Sequence, residues 1–159
     1  MLTKLSRWFD ARRKEKALRA FAIDDALWQA TQDGLPFLAH LDATDLVRLR
    51  ELTSLFIAQK AFSTAHDLEL TDTMIVAIAA QASLPVLNLG LDLYRGWVGV
   101  ILYPGEFVIR KTVEDEDGVV HEVEHDASGE AWEGGPVILS WEDAQMTDGR
   151  DAYNVVIHE

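Results

Sequence analysis

The 159-residue sequence contains no cysteine. A disulfide framework and a Cys-ligated zinc site are therefore excluded, so any metal site in this chain must use histidine, aspartate or glutamate. A chain without cysteine is also compatible with a reducing compartment, and we expect a cytoplasmic location.

The sequence also lacks a long apolar run. A membrane-crossing helix needs about 20 predominantly apolar residues, and no run of about 18 is present. Lysines and arginines interrupt every apolar stretch near the N-terminus, unlike the apolar region of a signal peptide. We therefore predict no transmembrane segment.

Basic residues are few, with 14 lysines and arginines against 27 aspartates and glutamates, for a net charge of −13. Seven of the basic residues fall within residues 1–20, which carry +5, so the remainder carries −18. So acidic a body repels phosphate backbones, and we expect no direct nucleic-acid binding. For the basic segment at residues 1–20, contact with a membrane surface or nucleic acid is one interpretation. A loosely docked N-terminal helix is the one we favour.

Residues 21–159 are long and apolar enough for a single domain, which the pattern predicts to be α+β. Helices are predicted over residues 23–33, from Asp42 or Thr44, and from Thr71 through a buried apolar stretch. A last helix is predicted to begin near Asp148 or Asp151. Strands are predicted over residues 97–103, 106–113, 119–125 and 136–141.

The last residues carry the candidate chemistry. Asn154 leads an apolar run that ends in His158 and Glu159. On a helix, this pair would form the first two positions of H-E-x-x-H, with the second histidine four residues after His158 and beyond this chain. Two histidines at that spacing can reach one Zn²⁺, and the glutamate can take a proton from the attacking water. We interpret the chain as part of a longer protein.

A complete H-E-x-x-H match also occurs at residues 121–125, as His121, Glu122 and His125 around two further residues. The neighbouring Val119, Val120 and Val123 are β-branched and follow an acidic turn, which favours a strand. In a strand, Glu122 would point away from both histidines. We therefore interpret this segment as one strand of an acidic hairpin, with metal binding by its histidines as the alternative.

Several motifs occur in an order that resembles the Mlc titration factor A family of zinc-dependent peptidases. The resemblance runs from about Ile23 to Glu159, and the combination is far more specific than any one motif. Its motifs are LPVLNLGLDLY at 84–94, YPGEF at 103–107, GEAW at 129–132, GGPVILSW at 134–141 and NVVIHE at 154–159.

The resemblance implies a zinc-dependent, aminopeptidase-like metallopeptidase that acts on peptides, with His158 as the first Zn²⁺ ligand and Glu159 as the catalytic base. It implies a lethal-factor-like fold: N-terminal helices, a small mostly antiparallel sheet and the start of the zinc-site helix. The strand at Val137–Ser140 is expected to form the cleft edge. The second histidine and a third carboxylate ligand have no counterpart here, so we expect this chain alone to be inactive. The alternative implied function is a non-catalytic protein that binds and sequesters the repressor Mlc.

Overall fold

The computed structural model describes residues 2–114, 120–127, 129–131, 134–145 and 154–159. Its helices are α1 (Leu2–Ala20), α2 (Asp25–Gly34), α3 (Ala43–Gln59), α4 (Asp72–Ser83), α5 (Trp141–Gln145) and α6 (Val155–His158). Two 3₁₀ segments lie at Pro36–His40 and Leu91–Tyr94. Its strands are β1 (Ala61–Thr64), β2 (Gly99–Tyr103), β3 (Phe107–Glu114), β4 (Val120–Ala127), β5 (Gly129–Ala131) and β6 (Val137–Ser140). The predicted α+β class is confirmed.

Side-chain caps fix where the central helices begin. Asp24 Oδ1 accepts a hydrogen bond of 2.8 Å from the backbone N–H of Leu27, and Asp42 Oδ1 caps α3 in the same way. Thr71 caps α4, as the sequence predicts. Each cap satisfies a backbone N–H that has no partner within its own helix. The predicted starts near Asp148 or Asp151 fall outside the described residues, and the last described helix begins at Val155.

The four-stranded sheet has the order β1-β2-β6-β5. The β1–β2 and β2–β6 pairs are parallel, and the β6–β5 pair is antiparallel. The main sheet is therefore mixed rather than mostly antiparallel. Parallel pairing needs a long crossover connection. Helix α4 and its flanking segments form the connection between β1 and β2, and residues 104–136 form the one between β2 and β6.

The sheet order also corrects the expected cleft edge. β6 is paired on both sides, with β2 through contacts such as Val100 opposite Val137 and with β5 through Glu130 opposite Ile138. A strand paired on both sides has no free main-chain groups with which to add a peptide. The prediction that Val137–Ser140 forms the cleft edge is thus wrong, and within the described residues β5 lies at that edge.

The rival H-E-x-x-H match lies on a strand. Residues 121–125 belong to β4, which pairs antiparallel with β3 in a separate two-stranded sheet. His121 lies opposite Val113 and His125 lies opposite Ile109. Because the zinc motif depends on helical spacing, the backbone here does not provide it. The strand interpretation is confirmed.

Helix α4 joins the two halves of the core. One cluster packs α2, α3 and α4 around Leu38, Leu49 and Val76. A second cluster packs α4 and α6 on the sheet through Ile78 and Leu102. Most α4 side chains from Met74 onward are buried, as expected for a stretch of small and branched residues without charge. A helix fixed on both sides is a rigid support for the residues attached to it.

Helix α1 carries the basic segment and contacts α3. Lys14 Nζ lies 3.8 Å from Glu51 Oε2, and both side chains are about half exposed. Exposed ion pairs of this kind contribute little stability. The predicted helix is confirmed, and the boundary between residues 1–20 and 21–159 stays a prediction. Among the described helices, none combines the length and apolar character that crossing a membrane requires.

Candidate functional site

Helix α6 is a single capped turn. Asn154 Oδ1 accepts a hydrogen bond of 3.0 Å from the Ile157 N–H, while the Asn154 carbonyl accepts one of 2.9 Å from the His158 N–H. Val155 and Val156 are buried in the sheet core, whereas His158 and Glu159 are exposed. The apolar residues thus anchor the turn, and its two polar residues face outward. The predicted helical placement of His158 is confirmed.

His158 and Glu159 border a cavity of about 650 Å³. Its lining is mainly apolar and comes from the sheet, from α3 and α4, and from the segment before β2. A concave apolar site with a few polar groups at its rim is the usual form of a small-ligand or peptide site. The lining includes Phe56, Ile78, Tyr94, Trp97, Val137 and Val156.

One wall of the cavity is an aromatic cluster. The Trp97 ring lies 5.7 Å from the rings of both Phe56 and Tyr94, in edge-to-face arrangements. Lys60 Nζ lies 4.0 Å from the Trp97 ring centroid and donates hydrogen bonds of 2.6 Å to the carbonyls of Tyr94 and Trp97. The Tyr94 hydroxyl donates to the Ala82 carbonyl at 2.8 Å. These contacts tie the wall to α3 and α4 and hold it in place.

Desolvation changes the acid-base properties of two residues in this wall. Burial lowers the pKa of Lys60 below its ordinary 10.5, because the charged ammonium loses water. Burial raises the pKa of Tyr94 above its ordinary 10.0, because it disfavours the phenolate. The Tyr94 hydroxyl therefore stays protonated and able to donate to Ala82 throughout the neutral pH range.

Strand β5 lies against the candidate catalytic residue. A Cβ added to Gly129 would stand 2.6 Å from Glu159 Cγ and 2.8 Å from Val155 Cγ2. Only a glycine lets the strand and the helix approach this closely. Gly129 belongs to the GEAW motif of the sequence, but no local pattern there indicates this close approach.

A pair of amides, one of them fully buried, connects α6 to α4. Asn154 Nδ2 donates to Gln81 Oε1 at 2.7 Å, and Gln81 Nε2 donates to the Ala144 carbonyl at 3.3 Å. Gln81 is fully buried. Its role is not evident from the sequence. The available signal was an uncharged but polar side chain at the end of an apolar helix.

The side chains at the site fit zinc in kind but not in number. His158 offers an imidazole and Glu159 a carboxylate, both ordinary partners of Zn²⁺. A catalytic zinc site usually has three protein ligands. Within the described residues, no group of three or more histidines, aspartates or glutamates could hold a metal ion. The candidate residues His121, Glu122 and His125 lie on β4, in the separate hairpin.

Comparison with known proteins gives matches over most of the chain. The family model for glucose-regulated metallo-peptidase M90 matches residues 8–159. Mlc titration factor A of Klebsiella pneumoniae is 38% identical over 125 residues, covering 79% of this chain and 47% of that protein. The protein of the same name from Pectobacterium atrosepticum is 36% identical over 132 residues, covering 83% of this chain and 49% of that protein.

A third relative, Mlc titration factor A of Salmonella arizonae, is 36% identical over 136 residues, covering 86% of this chain and 52% of that protein. The chain thus spans about half the length of these relatives. Because the family model matches nearly all of its residues, the chain belongs to the glucose-regulated metallo-peptidase M90 family.

Proposed function

We propose that this chain is part of a zinc-dependent peptidase in which His158 is a metal ligand and Glu159 is the catalytic base. The observation that carries the proposal is their joint position. Both residues end a capped helical turn, both are exposed, and both line the apolar cavity. The metallopeptidase family supports the same reaction class.

Zinc, when bound, would polarise the peptide carbonyl and make a nearby water more acidic. Glu159 accepts a proton from the water whose oxygen attacks the carbonyl carbon. It then gives that proton to the amine that leaves when the peptide bond breaks. His158 and Glu159 are adjacent in the chain and line the same cavity, so an imidazole and a carboxylate border one space. We expect the 159 residues alone to bind zinc weakly and to be inactive, because the part of the chain that the structure describes supplies too few ligands at the site.

We further propose that the peptide substrate adds to β5. This strand lies at one edge of the sheet within the described residues, and its first residue, Gly129, touches Glu159. An extended peptide paired with Gly129–Ala131 by main-chain hydrogen bonds would therefore pass close to the catalytic base. β5 takes the place that the sequence assigned to β6.

The proposal has two finer features. Aminopeptidase-like cleavage follows from the family resemblance of the sequence motifs. A cytoplasmic location fits the complete lack of cysteine in the chain. A panel of peptides with free and acetylated N-termini tests the first feature, because an aminopeptidase requires the free amine.

The second candidate function is binding of the repressor Mlc without catalysis. The relatives' name, Mlc titration factor A, favours it. Such a role depends on a complementary surface rather than on a proton-transfer residue. The two functions are compatible in one protein and can be separated by one substitution.

The separating experiment uses the protein at the full length of its relatives. We expect Glu159→Gln to lower the peptidase kcat by about 10²–10⁴-fold, because the amide cannot accept the proton. Binding to Mlc should persist. The matched control is Glu69→Gln, at an exposed carboxylate in the segment after β1. If Glu159→Gln keeps both activities, Glu159 is not the base and the proposed mechanism is wrong.

A further inference from the structure

We propose that Gln81 is a positioning residue that sets the orientation of α6, and with it the placement of His158 and Glu159. This inference deepens the proposed function and rests on it. Gln81 lies on α4, does not line the cavity, and precedes Asn154 by 73 residues in the chain. It acts through Asn154, without touching substrate or metal.

The burial of the polar Gln81 side chain is the first reason for this role. Gln81 has no exposed surface, and it follows Ile78, Ala79 and Ala80 on a helix that is otherwise mostly apolar. A buried amide weakens the fold unless its hydrogen-bonding groups are paired. Both ends of Gln81 are paired, one with the Asn154 side chain and the other with the Ala144 carbonyl. Its polarity is therefore used to connect α4 with α5 and α6.

The directions of the hydrogen bonds are a second reason for this role. The Ile157 N–H donates to Asn154 Oδ1, which leaves Asn154 Nδ2 to donate to Gln81. Gln81 must then present Oε1 to Asn154 and Nε2 to the Ala144 carbonyl. Turning either amide over would set donor against donor or acceptor against acceptor. The three hydrogen bonds thus specify one arrangement.

The short length of α6 is a third reason for this role. A helix of four residues has little stability of its own, so its direction depends on its cap and on packing. Asn154 supplies both the side-chain cap and the carbonyl that accepts from the His158 N–H at 2.9 Å. Gln81 fixes Asn154 against α4, which is packed on both sides. The position of α4 is passed in this way to the backbone of His158.

The test uses the protein at the full length of its relatives and two variants that break the connection differently. Gln81→Leu keeps the volume and removes both hydrogen bonds. Asn154→Ser keeps a good helix cap and removes the bond to Gln81. Two controls lie outside the connection: Leu49→Ala, which destabilises the buried helical core, and Ser83→Ala, at another fully buried polar residue of α4. Neither control residue lines the cavity.

Three measurements separate positioning from general stability. They are kcat/KM, zinc affinity by competition with a chelator, and the visible spectrum of the cobalt-substituted protein. Substitution of a residue that orients a metal ligand typically lowers metal affinity or activity by about 10- to 100-fold. We expect a loss of that size in Gln81→Leu and in Asn154→Ser. We also expect a changed cobalt spectrum in both. Leu49→Ala should lower Tm while leaving kcat/KM and zinc affinity within about twofold of wild type and the cobalt spectrum unchanged.

The outcomes distinguish this inference from the proposed function. A wild-type protein without zinc binding or peptidase activity overturns the proposed function, and the positioning of a zinc site falls with it. An active, zinc-binding wild type with unchanged values in Gln81→Leu overturns the role of Gln81 alone. Losses in Leu49→Ala equal to those in Gln81→Leu also overturn it, because stability would then explain both.

Discussion

Gly129 and Glu159 approach so closely that a Cβ on Gly129 would stand 2.6 Å from Glu159 Cγ. The contact joins the edge strand β5 to the proposed catalytic base. Its consequence is that a side chain at Gly129 would displace the residue proposed to move the proton from the strand proposed to hold the peptide.

We therefore predict that Gly129→Ala moves Glu159 and lowers kcat/KM of the full-length protein. A displacement of about 1 Å at a catalytic group can cost about 10²-fold. The control is Gly34→Ala, at a glycine with no atom near its Cβ position. Steady-state kinetics on both variants test the prediction, and wild-type kinetics in Gly129→Ala would contradict it.

A second glycine, Gly99, lies where β1 and β2 approach each other closely. A Cβ on Gly99 would stand 2.2 Å from the Ala61 carbonyl oxygen, its partner in the β1–β2 pair. Because the opposing atom belongs to the backbone, it cannot rotate away. We predict that Gly99→Ala lowers the free energy of unfolding by about 1–3 kcal/mol, as overpacking typically does. Urea unfolding compared with Gly34→Ala measures this loss, and equal midpoints would show that the strands can adjust.

A third prediction concerns pH. Tyr94 has a raised pKa in the folded protein because burial disfavours the phenolate. Well below pH 10.0 both the folded and the unfolded states hold the phenolic proton, so this residue adds no pH dependence there. Above that value the unfolded state releases the proton first, and the free energy of unfolding falls as pH rises.

The absorbance of ionised tyrosine reports this titration directly. The wild-type protein should show a tyrosine that ionises above pH 10.0, and Tyr94→Phe should lose that component. The same substitution should reduce the fall in stability at high pH. If every tyrosine of the folded protein titrates at its ordinary pKa, Tyr94 is not buried as described.

Much of the fold was predictable because its signals are local. The cap at Thr71 and the apolar residues after it predict α4, and the Pro104-Gly105 turn separates two runs of strand-forming residues. The strands β1 and β5 were not predicted. They have four and three residues, too few for a pattern of alternation, and their pairing partners β2 and β6 define them.

The candidate site was predictable only in part, because only some of its signals are local. Sequence spacing placed His158 and Glu159 together on a helix, since neighbouring residues share local geometry. The bond between Asn154 and Gln81 joins residues 73 positions apart, and the contact of Gly129 with Glu159 also depends on the folded chain. A prediction from local patterns cannot identify such partners.

The zinc content of purified full-length protein after dialysis shows whether His158 is a metal ligand. It should be measured for wild type, for His158→Ala, and for a variant with both His121→Ala and His125→Ala. We predict about one zinc per chain in the wild type and in the double variant, and a clear loss in His158→Ala. Zinc retained in His158→Ala and lost in the double variant would contradict the account and place the metal on the β3–β4 hairpin.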